Sequence, residues 1–454
     1  MKRIYKQTIQ IAIPVMVQNL ITNFVAMIDN LMVGMVGTEQ MSGVAIVNQL
    51  LFVFNITVFG AVSGAGIFCA QFFGKKDMDG VRHTFRYKLF STAGIVVLGI
   101  AILVLAGETL ISFYLHDADK GIDLMKTFDY AKDYLGIMLL GLVPFALEQV
   151  YSGTLREGGI VLTPMVAGIT AVVTNTVLNY LLIFGVAGFP ELGVRGAAIA
   201  TVISRYVQVG IVVLWSHFSK NRPEFIRGIY RSLRIPMALV RKITIQGLLP
   251  LMANECLWSA GVAMLGQCYS VRGIDVVAGQ NISTTVVNLF NVIFIAFGAG
   301  VSVVIGQLLG ANELKTAKKA APRLIGMAGL ICVVVGVVMA ATSGLIPKIY
   351  NTTQDVRDLA TAFIFISAVT MPIHGMLHAT YFTLRSGGKT LITFLFDSGF
   401  SWLVSVPLAF CLVHYTGMNI IYIYLCCQLA EGIKCLVGFY LIRRGIWLSN
   451  IVGN

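Results

Sequence analysis

Asp29 stands in "VAMIDNLMV", a carboxylate inside a run otherwise apolar enough to cross a bilayer. An acid at the centre of a spanning helix costs roughly 2.5–3.5 kcal/mol even on the lenient insertion scale. Such a residue is paired, facing water, or working. Asn175 and Asn179, in "VVTNTVLNYLLIFG", are i and i+4 and so share one helix face. Thr201 lies on a third helix, with Ala197 one turn away on the same face. Asp29, Asn179 and Thr201 each sit about seven residues from the expected outer end of their helix, ~10 Å of rise. A carboxylate, two amides and a hydroxyl at similar depth offer oxygen ligands to a hard cation. Asn and Thr alone often do no more than join helices. A carboxylate at the same level points instead to a cation site.

A second set lies later in the chain. Glu255 interrupts "LPLMANECLWSAG" near the middle of a span, and His374 and His378 fall in "MPIHGMLHATYF". Asp397 is placed near the inner end of the following span and Glu431 mid-membrane in the last. Carboxylates and imidazoles can exchange protons or hold a cationic guest. The HxxxH spacing of His374 and His378 has no Glu between them and no evident third ligand, so no metal beyond Na⁺ is expected. Glu148, four residues after Pro144, reads as a snorkelling residue at a span end.

The elements that must position these groups are legible in the composition. The 454 residues are 57% hydrophobic and 12% charged, with mean hydropathy +0.82. Soluble domains carry about 25% charged residues, so the chain reads as an all-α integral membrane protein. Twelve apolar runs are long enough to span: roughly 11–36, 43–72, 89–112, 131–152, 160–186, 194–217, 243–270, 277–309, 322–346, 360–383, 390–414 and 418–441. The net charge of +12 does not signal nucleic acid, because Lys and Arg occupy short loops between spans. With the N-terminus inside, inner segments hold 24 of them and outer loops six: Lys120, Lys126, Arg195, Arg272, Lys348 and Arg357. That asymmetry predicts both termini in the cytoplasm. The basic start, Lys2, Arg3 and Lys6, lacks a small-residue cleavage site after its apolar run and is kept as part of the first span. Eight scattered cysteines without CxxC spacing read as small buried hydrophobes.

The chain also repeats itself. A shift of 236 residues aligns Pro14 with Pro250, Gly37 with Gly273 and Asn55 with Asn291. The same shift aligns Gly64 with Gly300, Gln71 with Gln307 and Gly74 with Gly310, without a gap. "TLREGG" at 154–159 echoes "TLRSGG" at 383–388. The basic connection 218–242 divides an N-lobe, 1–217, from a C-lobe, 243–454. Six spans per copy make the repeats parallel, with a pseudo-two-fold axis along the membrane normal.

Two six-span lobes, "GxxxxxxQxxG" ending the second and eighth spans, and "LRxGG" after the fourth and tenth make the chain resemble the multidrug and toxic compound extrusion (MATE) family of bacteria. The resemblance covers nearly the whole chain. It implies a V-shaped pair of six-helix bundles with a central cleft, exporting organic cations and other amphiphiles in exchange for Na⁺ or H⁺. It also implies that Asp29, Asn175 and Asn179 form a Na⁺ or H⁺ site, and that Pro14 marks a bend in the first helix. Glu255 matches an acid that one branch uses with a tenth-helix acid. Here the tenth span offers only histidine, with His374 nearest, so a titratable Glu–His pair is the expectation. Glu255 is then expected to face the cleft, coupling transport or holding a cationic substrate, unless it merely bonds a neighbouring helix.

The resemblance implies a monomeric secondary transporter of the cell inner membrane, in contact with lipid, needing no cofactor beyond its coupling ion. A flippase for lipid-linked oligosaccharide or peptidoglycan precursors is the alternative. It would need a cationic cleft for pyrophosphate, whereas only Lys132, Arg205 and Lys434 fall within spans. A membrane enzyme is disfavoured, because no nucleophile–base pair, phosphate loop or metal constellation stands out.

Overall fold

A computed structural model of the chain describes residues 1–115, 123–350 and 352–453, the side chain of Leu31 excepted. Lys120, one of the six basic residues assigned to outer loops, lies outside the described residues. The fold is all-α. Among the described residues, twelve helices are long and apolar enough to cross a membrane: α1 Lys2–Gly34, α2 Thr38–Lys75, α3 Met78–Ser112, α4 Leu124–Glu157, α5 Leu162–Phe184 and α6 Gly193–Phe218; then α7 Met237–Ser270, α8 Ile274–Gly310, α9 Leu314–Thr342, α10 Gln354–Ser386, α11 Thr390–Tyr415 and α12 Ile420–Arg444. Each coincides with one expected span. Several run further than the apolar stretch, as α1 does to Lys2 and α2 to Lys75, because polar helix formers continue the turn beyond the hydrocarbon.

Several starts are capped. The Asp123 carboxylate accepts from the N–H of Met125 and Lys126 at α4, Thr353 Oγ1 from Val356 N–H at α10, and Asn419 Oδ1 from Ile421 N–H at α12. The outward faces are apolar. Val97, Leu98, Ile102, Val104 and Leu105 of α3 are all exposed, the reverse of a soluble helix and the normal state of one bathed in lipid.

The chain forms two compact units. The N unit comprises Val17–Cys69 and Met78–Ile243. The C unit comprises Thr244–Asn454 together with Met1–Met16 and Ala70–Asp77, so α1 and α2 each contribute to both. Within the N unit α5 packs along α6; within the C unit α10 packs against α8, α9 and α12. The 218–242 connection is anchored to the N unit, where the Arg86 guanidinium donates to Ile229 O at 2.7 Å and Phe225 is buried against Phe85.

The repeat motifs have physical reasons. A Cβ on Gly74 would collide with the backbone carbonyl of Gln307, and one on Gly310 would collide with that of Gln71. The two copies of the motif thus cross reciprocally inside the C unit, and only glycine lets the backbones approach so closely. In "LRxGG" the second glycine is the one that needs its freedom. Gly159 and Gly388 take φ of 81° and 72°, closing α4 and α10 in the left-handed turn that ends a helix.

Two proline-linked irregularities shape the C unit. Pro250 has no N–H to give, so Gln246 O accepts from Thr390 Oγ1 at 2.7 Å instead, next to a π-helical turn at Thr244–Leu248. α11 contains two further π turns, Leu395–Gly399 and Ser401–Ser405, just before Pro407. Pro14, by contrast, lies inside a helix that continues from Lys2 to Gly34.

Candidate functional site

The structure brings together the four polar residues of the N-terminal set. Asn179 is 1% exposed, and its Nδ2 donates to Asp29 Oδ1 at 2.8 Å. Thr201 Oγ1 donates to Ala197 O at 3.0 Å, so Ala197 takes part through its backbone. Asn175 lies between, with one amide terminus 2.6 Å from Asp29 Oδ2 and the other 3.3 Å from Thr201 Oγ1.

That amide can be read in two orientations, and nitrogen toward Asp29 is the one that gives both of its termini partners of the matching kind. With nitrogen toward Asp29, Asn175 donates to an ionised carboxylate and its oxygen lies 3.3 Å from Thr201 Oγ1, whose single hydrogen goes either to it or to Ala197 O. With oxygen toward Asp29, the 2.6 Å contact needs a proton on the carboxyl; Asn175 Nδ2 then donates to Thr201 and Asn179 Nδ2 reaches Asn175 Oδ1 at 3.3 Å. One constellation therefore satisfies both the charged and the protonated acid.

Two further features fit a cation. Asn179 Oδ1 is buried and finds no donor among the described residues. A buried acceptor left unpaired costs about 1–3 kcal/mol, which an oxygen-seeking ion or a donor would recover. No Lys or Arg among the described residues makes an ion pair with Asp29. Arg205, an intramembrane cation of this unit, donates to Gly141 O at 3.1 Å and lies over the Phe145 ring.

Glu148 does not snorkel. It is 3% exposed, with one carboxylate oxygen accepting from Gln149 Nε2 and the other unpartnered, because its side chain turns into the bundle. Depth alone could not reveal that. Lys88, counted in the sequence as a loop cation, is fully buried on Glu157 at 2.5 Å and Thr154 at 3.1 Å.

The C-terminal set is arranged differently from the expectation. Glu255 Oε1 accepts from Tyr381 OH at 3.3 Å, while His374 Nε2 meets Gln428 Oε1 at 3.1 Å. Glu255 and His374 therefore have different partners, both being one-residue reaches across helix contacts that position along the sequence does not specify. His378 bonds the His374 carbonyl and packs its ring on Phe294, 4.4 Å between centroids. Asp397 and Glu431 converge, but on Lys434, which the sequence presents as a lone intramembrane cation. Asn254 ties these parts together: its Nδ2 lies 3.1 Å from Asp397 Oδ2 and 3.3 Å from Tyr381 OH. The signal for Lys434 was its i, i+3 spacing from Glu431; nothing in the sequence marked Asn254 or Tyr381.

The fold and these buried polar clusters define a multi-pass membrane protein with carboxylates, amides and a lysine held among its helices. The MatE family profile matches residues 14–181 and 250–411, two blocks that begin 236 residues apart, and the chain belongs to that family of transporters. It is accordingly a transporter and not an enzyme. Among curated relatives it is similar to a Thermotoga maritima protein named "Probable multidrug resistance protein NorM", 26% identical over 426 residues, covering 92% of this chain and 88% of the relative. It is also similar to a Bacillus subtilis protein named "Probable multidrug resistance protein YoeA", 24% identical, covering 94% and 91%. Among solved structures, one described as MATE in the bent conformation superposes with TM-score 0.87 at 18% identity, covering 98% of this chain and 96% of that one. An outward-facing multidrug resistance MATE transporter does so at 0.86 and 19%, with the same coverage.

Proposed function

We propose that the protein is a secondary multidrug efflux transporter of the cell inner membrane, with both termini cytoplasmic. It acts as a monomer and exports organic cations or amphiphiles in exchange for Na⁺ or H⁺ by alternating access. The observation that carries the coupling is Asp29: a carboxylate inside the helices, met by Asn175 and Asn179 but by no cationic side chain among the described residues, beside an unpaired Asn179 oxygen. The relatives' names support drug export, and the 24-to-six division of Lys and Arg supports the orientation.

A proton or a Na⁺ neutralises Asp29, and the two amide orientations of Asn175 suit the two states. An ion drives the cycle only by binding one facing of the protein better than the other. A flippase for pyrophosphate-linked lipids fits less well, since Lys88 and Lys434 are already held by carboxylates.

The deciding experiment is drug efflux from proteoliposomes under an imposed Na⁺ or H⁺ gradient. Asp29→Asn imitates the neutralised state permanently, so the variant folds and binds drug but exports none against either gradient. Wild-type rates in that variant under both gradients would overturn the assignment.

A further inference from the structure

Two acids of the C unit, Asp397 and Glu431, have what Asp29 lacks among the described residues, a cationic partner. Lys434 Nζ lies 2.8 Å from Asp397 Oδ1 on α11 and 3.6 Å from Glu431 Oε2 one turn earlier on α12. The carboxylates are held in place on their far sides, Asp397 Oδ2 by the Asn254 amide at 3.1 Å and Glu431 Oε1 by Ser405 Oγ at 3.1 Å. The rings of Phe396 and Phe400 lie 5.5 and 5.9 Å from Nζ, within reach of a cation–π contribution. The ammonium is only 10% exposed.

Two fixed carboxylates and two ring faces around one point make a binding site for a monovalent cation, and the chain supplies the cation itself. A tethered ammonium binds intramolecularly, without the loss of translational freedom that a dissolved ion incurs. We propose that Lys434 is a built-in cation that fills the acidic site of the C unit, so that this unit draws no Na⁺ from solution and ion exchange is confined to one site per chain. The count of one rests on the proposed role of Asp29; the occupancy of the C unit by Lys434 does not.

The test is equilibrium binding of ²²Na⁺ to the purified full-length chain at alkaline pH, in an Asp29→Asn background that silences the N unit. With Lys434 intact, that protein binds no saturable Na⁺. Adding Lys434→Met, which keeps the stem and removes the charge, creates one saturable site per chain; adding Asp397→Asn abolishes it. Lys434→Arg, which keeps a cation in place, leaves the site closed.

A folded Asp29→Asn/Lys434→Met protein that gains no Na⁺ site overturns the proposal. So does Asp397-dependent Na⁺ binding while Lys434 is present, a measurement that holds even where Lys434→Met fails to fold. Should the wild type bind no Na⁺ while Asp29→Asn/Lys434→Met does, the Na⁺ reading of Asp29 falls and the role of Lys434 stands.

Discussion

Asp29 in the N unit and Asp397 in the C unit are both carboxylates drawn among apolar helices, and each meets an Asn amide, at 2.8 Å and 3.1 Å. They part over counter-charge. Asp397 has the Lys434 ammonium at 2.8 Å; Asp29 meets only neutral dipoles among the described residues. An acid with a resident ammonium is electrically complete and has no need of a partner from outside. An acid met only by amides must take a proton or an ion to become neutral. Counting polar neighbours would rank the C-unit cluster higher, since it is richer. On the proposed reading, what separates Asp29 from Asp397 is that no cationic side chain among the described residues pairs with Asp29.

The comparison is broken most severely by removing the ammonium. Lys434→Ala leaves Asp397 and Glu431 facing each other uncompensated, and loss of one partner of a buried pair costs about 3–5 kcal/mol. Thermal unfolding in detergent should show a large fall for Lys434→Ala and a much smaller one for Asp29→Asn, which removes a charge with no cationic partner among the described residues. Equal losses would erase the distinction between the two acids.

A smaller effect separates ligand from proton carrier inside the N unit. Asn175→Ala and Asn179→Ala each delete an amide oxygen and a donor to Asp29. A hydrogen bond to a charged group contributes about 1.5–3 kcal/mol, so half-maximal Na⁺ should rise roughly 10–100-fold. Transport driven by a proton gradient should fall less, since the amides do not titrate. Identical losses under both gradients would mean that the pair merely positions α5.

Acidification sharpens the same contrast. A proton on Asp29 excludes Na⁺, so the protonated fraction grows as pH falls and the apparent Na⁺ affinity must drop, by up to about tenfold per pH unit once the protonated form dominates. Half-maximal Na⁺ in drug efflux, measured across pH, reads this directly. A pH-independent value would show that proton and Na⁺ do not share the carboxylate.

The two sites also differ in how far the sequence revealed them. Asp29, Asn175, Asn179 and Thr201 lie on regular helices, where depth from a span end and i, i+4 spacing translate directly into position. Of the C-terminal set, Glu255 and Asp397 lie on helices interrupted by π turns, at Thr244–Leu248 and at Leu395–Gly399 and Ser401–Ser405. Each adds a residue to its turn and rotates the rest of the helix, so a 3.6-residue wheel misplaces Asp397 and its neighbours. The expected Glu255–His374 pair comes from the resemblance rather than from helix geometry, and Lys434 lies three residues from Glu431 on a regular helix. The twelve spans and the 236-residue repeat were legible because length, hydropathy and a constant offset survive such local changes. The reciprocal approach of Gly74 and Gly310 was visible only as a motif, since a close crossing leaves no more in the sequence than a missing side chain.

The smallest expected effect concerns the link between Glu255 and the Lys434 cluster. Tyr381 OH donates to Glu255 Oε1 and accepts from Asn254 Nδ2, both at 3.3 Å. Asn254 also holds Asp397 and accepts from Ser398 Oγ at 2.8 Å, so it stays anchored when the phenol oxygen is lost. Tyr381→Phe should therefore cost only about 1 kcal/mol of stability, the net worth of a long neutral contact, and leave the Lys434–Asp397 pair intact. Its consequence belongs to Glu255, freed from the hydrogen bond that Tyr381 gives it: affinity for a permanent organic cation should change while the Na⁺ dependence of export does not. His374→Gln should alter neither, because His374 is bonded to Gln428 rather than to Glu255. Drug binding and the pH profile of export, measured on both variants, separate the cases. A shifted pH optimum in His374→Gln would mean that Glu255 and His374 meet in another facing of the transporter, and that the C unit titrates after all.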